Sequence, residues 1–390
     1  MRIAYICADP GIPVFGHKRC SIHVQEIVRA FIREGAQVDL FAACVDGNSP
    51  QGLEQVRVHK LPPFSNEYSI DESAAFGANQ SLRAMLESQC NLDMVYERYS
   101  MWSYAGMDFA RGYGIPGLLE VNASSIEEHP QYFVDRMRAE HVADRVFNTA
   151  AALVACSYEV AAYLDNRVKD KERIHVVPNG INPDRFSTKA PTLSHASSTF
   201  TVGYMGALNP GNDLTCLLDA FTWLYQARPD SRLLIVGDGP GRDKLTEDIE
   251  GKGLSNVVYI TGAVNPEEVP ARLGAMDAAV IPCRSEPDFC FSPSKVFEYM
   301  ATGLPVVAGD MGQIKCIIHH GVNGLLYKAG DPIAMASALG RLRREQNLRS
   351  QLGQAGRSMV LRNHTWDRNV KKLLDIANAG VPLIPCTEAV

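Results

Sequence analysis

The chain has 390 residues, 46% hydrophobic and 21% charged, with 31 glycines and 22 prolines. That is too long for one ordinary core and fits two domains of roughly 100–200 residues. Lys and Arg number 38 against 44 Asp and Glu, a net charge of −6; this lacks the basic footprint of a nucleic-acid binder, so any anion site must be local.

No apolar run reaches the ~18 residues that span a bilayer. Ten Cys are scattered without a C-x-x-C pair, which reads as reduced, core-packing thiols in a cytosolic protein. The ten His show no ligand spacing, so a structural metal is not expected.

Residues 2–7 form a first strand, since the apolar stretch after Met1 is too short for a signal segment. The loop that follows holds Gly16, His17, Lys18 and Arg19 and opens into a helix predicted over 21–34. Val24, Ile27, Val28 and Phe31 give that helix an i, i+3, i+4, i+7 stripe. A glycine loop ahead of a helix N-terminus offers unpaired N–H groups to an anion. The loop is neither G-x-G-x-x-G nor a Walker sequence, so an ordinary strand-to-helix connection fits these residues equally well. Gly35 stops the helix. Continuous apolar runs at 93–96, 117–121, 151–156 and 174–177 read as buried parallel strands, and their alternation with helices predicts a doubly wound α/β sheet.

Pro178-Asn179-Gly180 is a turn, and residues 187–199, rich in Ser, Thr, Pro and Ala, read as a linker. The alternation then restarts, with strands at 200–205, 233–236, 257–260, 278–281 and 305–307. The expected architecture is two tandem Rossmann-like domains, 1–186 and 200–365, with parallel sheets facing a central cleft. A last helical segment, 366–390, is expected to return to the first domain. The cleft is the expected ligand site.

Two later motifs carry chemistry. Gly237-Asp238-Gly239 ends a strand at the sheet's carboxyl edge, where plain turn chemistry would also suffice. In the stretch 289–307, Ser292 is a good N-cap and Pro293 suits the first helical position. Lys295 and Glu298 follow at i, i+3. A lysine at a helix start suits a diphosphate, and a carboxylate one turn deeper can accept both hydroxyls of a ribose. A solvated Lys–Glu pair has the same spacing.

The segment Ser292-Pro293-Ser294-Lys295-Val296-Phe297-Glu298-Tyr299-Met300-Ala301-Thr302-Gly303-Leu304-Pro305 resembles the donor-site signature of retaining glycosyltransferase family 4, which has the GT-B fold. Supporting pieces follow in the family's order: Tyr96-Glu97-Arg98-Tyr99-Ser100, Leu119-Glu120-Val121-Asn122-Ala123, Val177-Pro178-Asn179-Gly180, Gly203-Tyr204-Met205-Gly206, Gly237-Asp238-Gly239 and Gly321-Val322-Asn323-Gly324. As an ordered set they cover nearly the whole chain.

The resemblance implies transfer of a hexosyl group, with retention, from a nucleotide-diphosphate sugar to a hydroxyl of a small-molecule or glycan acceptor. It implies no metal or other cofactor. A nucleotide-sugar epimerase of the same fold, or a catalytically silent nucleotide-sugar binder, are the alternatives. By the resemblance, Glu298 holds the ribose and Lys295 approaches the diphosphate. Phe291, Ser292, Pro293 and Ser294 cover sugar and phosphates, and Val264 lies against the base. Gly16, Arg19, Gly206, Asn209 and Arg242 complete the donor side. Asn122 and Glu120, with Lys295, fall at catalytic positions; His23, Arg98 and Glu128 fall on the acceptor side, with loops 65–71 and 124–133.

The sequence departs from the family pattern in three respects. Cys290 replaces the first carboxylate of an E-x7-E pair. Ala207 and Asn212 stand where diphosphate cations are usual, which makes Arg19, at a position usually small, a candidate to restore charge. Asn122 cannot take a proton. That suits a front-face mechanism, in which the leaving phosphate takes the acceptor proton and the protein supplies orientation and electrostatics.

Overall fold

The computed structural model describes residues 1–62, 65–66, 69–70, 72–123, 136–186, 199–209, 212–284 and 294–379. The chain divides into two compact units, Met1–Asn179 with Trp366–Val390, and Gly180–Thr365.

The first unit holds strands β1 (Arg2–Cys7), β2 (Gln37–Ala42), β3 (Arg57–Lys60), β4 (Ser65–Asn66), β5 (Ser69–Ile70), β6 (Met94–Arg98), β7 (Gly117–Val121), β8 (Ala152–Ala155) and β9 (Ile174–Val176). Seven of them form a parallel sheet in the order β3-β2-β1-β6-β7-β8-β9, while β4 and β5 pair as a small antiparallel ribbon. The direction of strand succession reverses between β1 and β6. In open α/β sheets ligands bind beyond the carboxyl ends at such a switch point.

Alternate residues of β1 serve two cores. Ile3, Tyr5 and Cys7 face Val24, Ile27, Val28 and Phe31 of the helix Arg19–Arg33, together with Val370 and Leu373 of the helix Trp366–Asn378. Ala4 and Ile6 face Leu82, Phe109 and Phe147 on the other side. Both faces are buried, which is why the strands read as unbroken apolar runs.

The second unit holds β10 (Phe200–Met205), β11 (Ser231–Val236), β12 (Val258–Ile260), β13 (Ala278–Ile281), β14 (Val306–Gly309) and β15 (Leu325–Tyr327), all parallel, in the order β12-β11-β10-β13-β14-β15. Its switch point falls between β10 and β13. Phe200, Val202 and Tyr204 pack against Leu217, Phe221 and Leu339, while Met205 and Ile281 meet Val296, Phe297 and Met300. The expected α/β class with two tandem Rossmann-like sheets is what the chain adopts.

Two boundaries differ from expectation. The first helix begins at Arg19 rather than 21, with Lys18 at the N-cap and no side-chain cap bond, so Arg19 lies inside the first turn. Residues 180–186, expected with the first domain, cluster with the second unit. There Ile181 N donates to His364 O at 2.9 Å, and Phe186 is buried among Met205, Val296 and Met300. The short strands β3 and β15 were not expected. Of the linker 187–199, residues 187–198 lie outside the described residues.

Candidate functional site

In the second unit Lys295, Gly206 and Gly237 meet at the end of β10. Lys295, in the first turn of the helix Ser294–Ala301, is only 7% exposed. Its Nζ stands 3.4 Å from Tyr204 Oη and 5.1 Å from the centre of that ring. Burial of this depth rules out the solvated Lys–Glu pair that the spacing allowed. Gly206, the first residue past β10, has φ +155°, and a Cβ there would lie 2.1 Å from Lys295 Nζ. A Cβ on Gly237, past β11, would lie 2.0 Å from Gly206 O, and one on Gly239 would press on the Leu208 backbone. Glycine is thus needed at both turns for the loops to stack and for the lysine to reach over them. Tyr299 Oη accepts from Met205 N at 2.7 Å and donates to Met205 O at 3.2 Å, fastening the Lys295 helix to the strand end.

The other residues expected on the donor side are placed as follows. Glu298, one turn past Lys295, is half-buried. Asn212 Nδ2 donates to Ala207 O at 2.6 Å, and Tyr204 Oη donates to the same oxygen at 3.1 Å. The two uncharged positions therefore fold their own loop. Asn209 is exposed on it. Arg242 opens the helix Arg242–Gly251 and donates to Asp238 Oδ2 at 2.7 Å. The Gly239 N–H, and then Arg242, hold the Asp238 carboxyl below its usual range. Val264 is half-buried on the loop after β12, and Ser294 is the half-buried first residue of its helix. Phe291, Ser292, Pro293 and Cys290 lie outside the described residues.

In the first unit a buried polar cluster lies toward the carboxyl ends of β1, β6 and β7. His23 Nε2 and Glu120 Oε1 are 2.6 Å apart and both side chains are buried. Arg98 and Glu120 are register partners on β6 and β7. Burial pushes the Glu120 carboxyl up, but the charge and hydrogen bond of His23, then Arg98 and Asn122, outweigh it and hold the pKa below its usual value. Burial, with the Glu120 charge nearby, raises the Tyr5 and Tyr96 hydroxyls well above their usual range. They are therefore neutral donors, and Tyr5 Oη has no partner among the described residues. The Trp366 indole and the His23 ring make a T-shaped contact with centroids 4.9 Å apart.

Gly16 lies in the loop before the first helix, and a Cβ there would lie 2.8 Å from Pro13 Cγ. The carbonyls of Val14 and Gly16 both accept from Gln25 Nε2, at 3.0 and 2.9 Å. Arg19 is exposed in the helix's first turn. Glu128 and the 124–133 loop lie outside the described residues, apart from which the structure brings His23, Arg98, Glu120 and Asn122 together. Tyr5 and Tyr96 belong to the same cluster and were missed, because a tyrosine inside a buried strand reads as core. Among the described residues no group of three or more His, Cys, Asp or Glu could hold a metal ion, and no helix is long and apolar enough to cross a membrane.

Residues 21–185 match Glycosyltransferase Family 4, and residues 199–345 match Glycosyl transferases group 1. A D-inositol 3-phosphate glycosyltransferase of Salinispora tropica is 24% identical, over 93% of this chain and 81% of its own length. An uncharacterized glycosyltransferase of Methanocaldococcus jannaschii is 20% identical, over 93% of this chain and 95% of its own. Among solved structures, Anabaena HepE in complex with UDP superposes with a TM-score of 0.74 at 19% identity, covering 97% of this chain and 100% of that one. Sucrose-phosphate synthase from Thermosynechococcus elongatus gives 0.72 at 19% identity, over 97% and 98%. Fold and matches together define a glycosyltransferase of the GT-B class. The chain belongs to it as a family 4 domain followed by a group 1 domain.

Proposed function

We propose that the chain transfers a hexosyl group from a nucleoside diphosphate sugar to a hydroxyl of a small-molecule or glycan acceptor, with retention and without a metal. The observation that carries this reading is Lys295, a lysine nearly withdrawn from solvent at the β10/β13 switch point and seated against Gly206. A buried ammonium beside closely stacked backbone is suited to a diphosphate, because charge complementarity is worth most where water is excluded. Glu298, one turn deeper, takes the ribose hydroxyls, and Val264 takes the base. Gly16, Arg19, Asn209, Arg242 and the 291–294 segment complete the donor side. The related mannosyltransferase of Mycolicibacterium smegmatis is GDP-mannose-dependent, and HepE binds UDP, which makes uridine and guanosine nucleotides the first donors to test.

In the reaction the acceptor oxygen bonds to the anomeric carbon as the sugar–phosphate bond breaks, and its proton passes to the leaving phosphate oxygen. Lys295 stabilises the charge that develops there. Glu120, kept ionised, and His23 and Asn122 orient the acceptor, with Arg98 behind them. Thermal-shift measurement with UDP and GDP tests donor binding directly, since ligand-linked stabilisation grows with affinity. Glu298→Ala removes a charged acceptor of two hydroxyl bonds, each worth about 1.5–3 kcal/mol, so nucleotide affinity should fall at least about tenfold. Unchanged affinity removes the ribose role. Retention is tested by the anomeric configuration of the product.

A further inference from the structure

The corner between β6 and the helix Ala105–Tyr113 is held more firmly than its length requires. Trp102 has φ +73°, a left-handed backbone that a bulky residue adopts only where the surroundings force it. One clamp comes from Asn79 on the helix Glu72–Glu87. Its Nδ2 donates to Trp102 O at 2.7 Å, and its Oδ1 accepts from Tyr104 N at 2.9 Å and Ala105 N at 3.0 Å. A second clamp is Ser103 Oγ, which donates to Glu97 Oε1 at 2.5 Å. Two independent sets of bonds therefore keep one strained tryptophan in place.

Trp102 is 4% exposed, and its indole N–H has no hydrogen-bond partner among the described residues. Buried indole donors normally find an acceptor, so an orphan needs an explanation. Trp102 and Ser103 line a cavity of about 10 Å³ with Ala8, Leu61, Ala78, Asn79 and Leu82. Ala8 follows β1 and Trp102 follows β6, which puts the cavity at the sheet's switch point. The volume admits one water-sized group, but water wants two or more polar partners. Ser103 Oγ spends its proton on Glu97 and Asn79 Nδ2 one of its two on Trp102 O, and the other wall residues are aliphatic. A hydroxyl oxygen takes the volume of that one water, and the aliphatic wall suits the carbon that carries it.

We propose that Trp102 determines acceptor specificity: its indole N–H donates to one hydroxyl oxygen of a polyhydroxylated acceptor, whose attached carbon rests on Ala8, Leu61, Ala78 and Leu82. The proposal rests on the glycosyltransferase reading above. It explains the strained backbone, which presents the indole, and the clamps, which prevent its relaxation.

The test uses the full chain labelled with 15N at tryptophan. The indole signals of Trp102, Trp223 and Trp366 are assigned with Trp102→Phe and Trp223→Phe. UDP and GDP are added first, then myo-inositol and methyl α-D-glucopyranoside separately. A shift of the Trp102 indole proton on addition of either polyol, not produced by nucleotide alone, is the expected result. Trp102→Phe keeps a six-membered aromatic ring and removes the pyrrole ring with its N–H donor. It should raise the acceptor KM of the polyol that shifts the signal by about three- to tenfold, with donor KM unchanged. If nucleotide perturbs the protein but neither polyol moves Trp102, the specificity role is overturned while donor binding stands. An unchanged acceptor KM in Trp102→Phe, with equal or greater stability, overturns it as well. If neither nucleotide binds, the glycosyltransferase reading fails and takes the acceptor role with it.

Discussion

Glu97 and Glu120 stand on adjacent strands with opposite protonation behaviour. Glu97 points to the face packed by the helix Ala105–Tyr113, where a Cβ on Gly106 would lie 2.3 Å from its Oε2. Burial pushes its pKa up to about 7, opposed in part by the Ser103 hydrogen bond and helped by Asp108. The folded state thus holds a proton that the unfolded chain releases near 4.5. Its stability contribution is complete below that value and is lost as pH rises toward 7, to a total of about 3 kcal/mol. Glu97→Gln keeps an acceptor for Ser103 and removes the titration. Urea unfolding should show the variant losing less stability than the parent between pH 5 and pH 8. An equal loss would mean that another group titrates. Glu120 has the reverse sign: its lowered pKa gives stability present above the ordinary carboxylate range and lost as pH falls through the folded value. Glu120→Gln removes the carboxylate that His23 meets at 2.6 Å in a buried site, at a cost of about 1–3 kcal/mol. Resemblance named Glu120 and His23 separately. Their pairing, 97 residues apart, was not readable, and neither was the left-handed Trp102, whose backbone is set by Asn79.

Elements were legible where one local cause decides them. The stripe Val24, Ile27, Val28 and Phe31 marks a helix in any context, and runs such as Ala278–Ile281 are buried on both faces and so show no polar interruption. β3, by contrast, is Arg57-Val58-His59-Lys60, an edge strand whose assignment depends on its pairing with β2. β15 is only three residues long. Glycines divide in the same way. Gly237→Ala would drive a Cβ to 2.0 Å from Gly206 O at a φ of +145°, forcing apart the loops that carry Gly206 and Asp238. We expect a loss of about 1–3 kcal/mol from backbone strain alone, together with weaker nucleotide binding in calorimetry. Gly251→Ala, at the end of the helix Arg242–Gly251 with open space around it, should be neutral or stabilising by up to about 1 kcal/mol. If both variants behaved alike, close stacking of the two loops would not be what demands glycine.

At the scale of the whole molecule, the chain leaves its first unit at Asn179 and re-enters it at Trp366. The returning helix Trp366–Asn378 carries Trp366, Val370 and Leu373 into the first core, an apolar spacing that sequence periodicity reveals. Which core receives it depends on partners far away in the chain. Arg33 pairs with Asp367 and Lys371 with Glu34, while Asn369 Nδ2 donates to Pro178 O at 2.7 Å and Lys372 Nζ to Val176 O at 2.7 Å. Most of these are exposed pairs worth little each, so the seat should depend on the buried side chains, and on Trp366 above all, because it also packs on His23. Trp366→Ala should cost the first unit about 3–5 kcal/mol, whereas the second unit, which contains Lys295 and Glu298, keeps its own cores intact. Calorimetry of the variant should therefore show one transition moved down and the other in place. Added nucleotide should raise the transition that did not move. A single transition shifted as a whole would show that the two units unfold as one cooperative body, and nucleotide would then stabilise the helix's seat as well as its own.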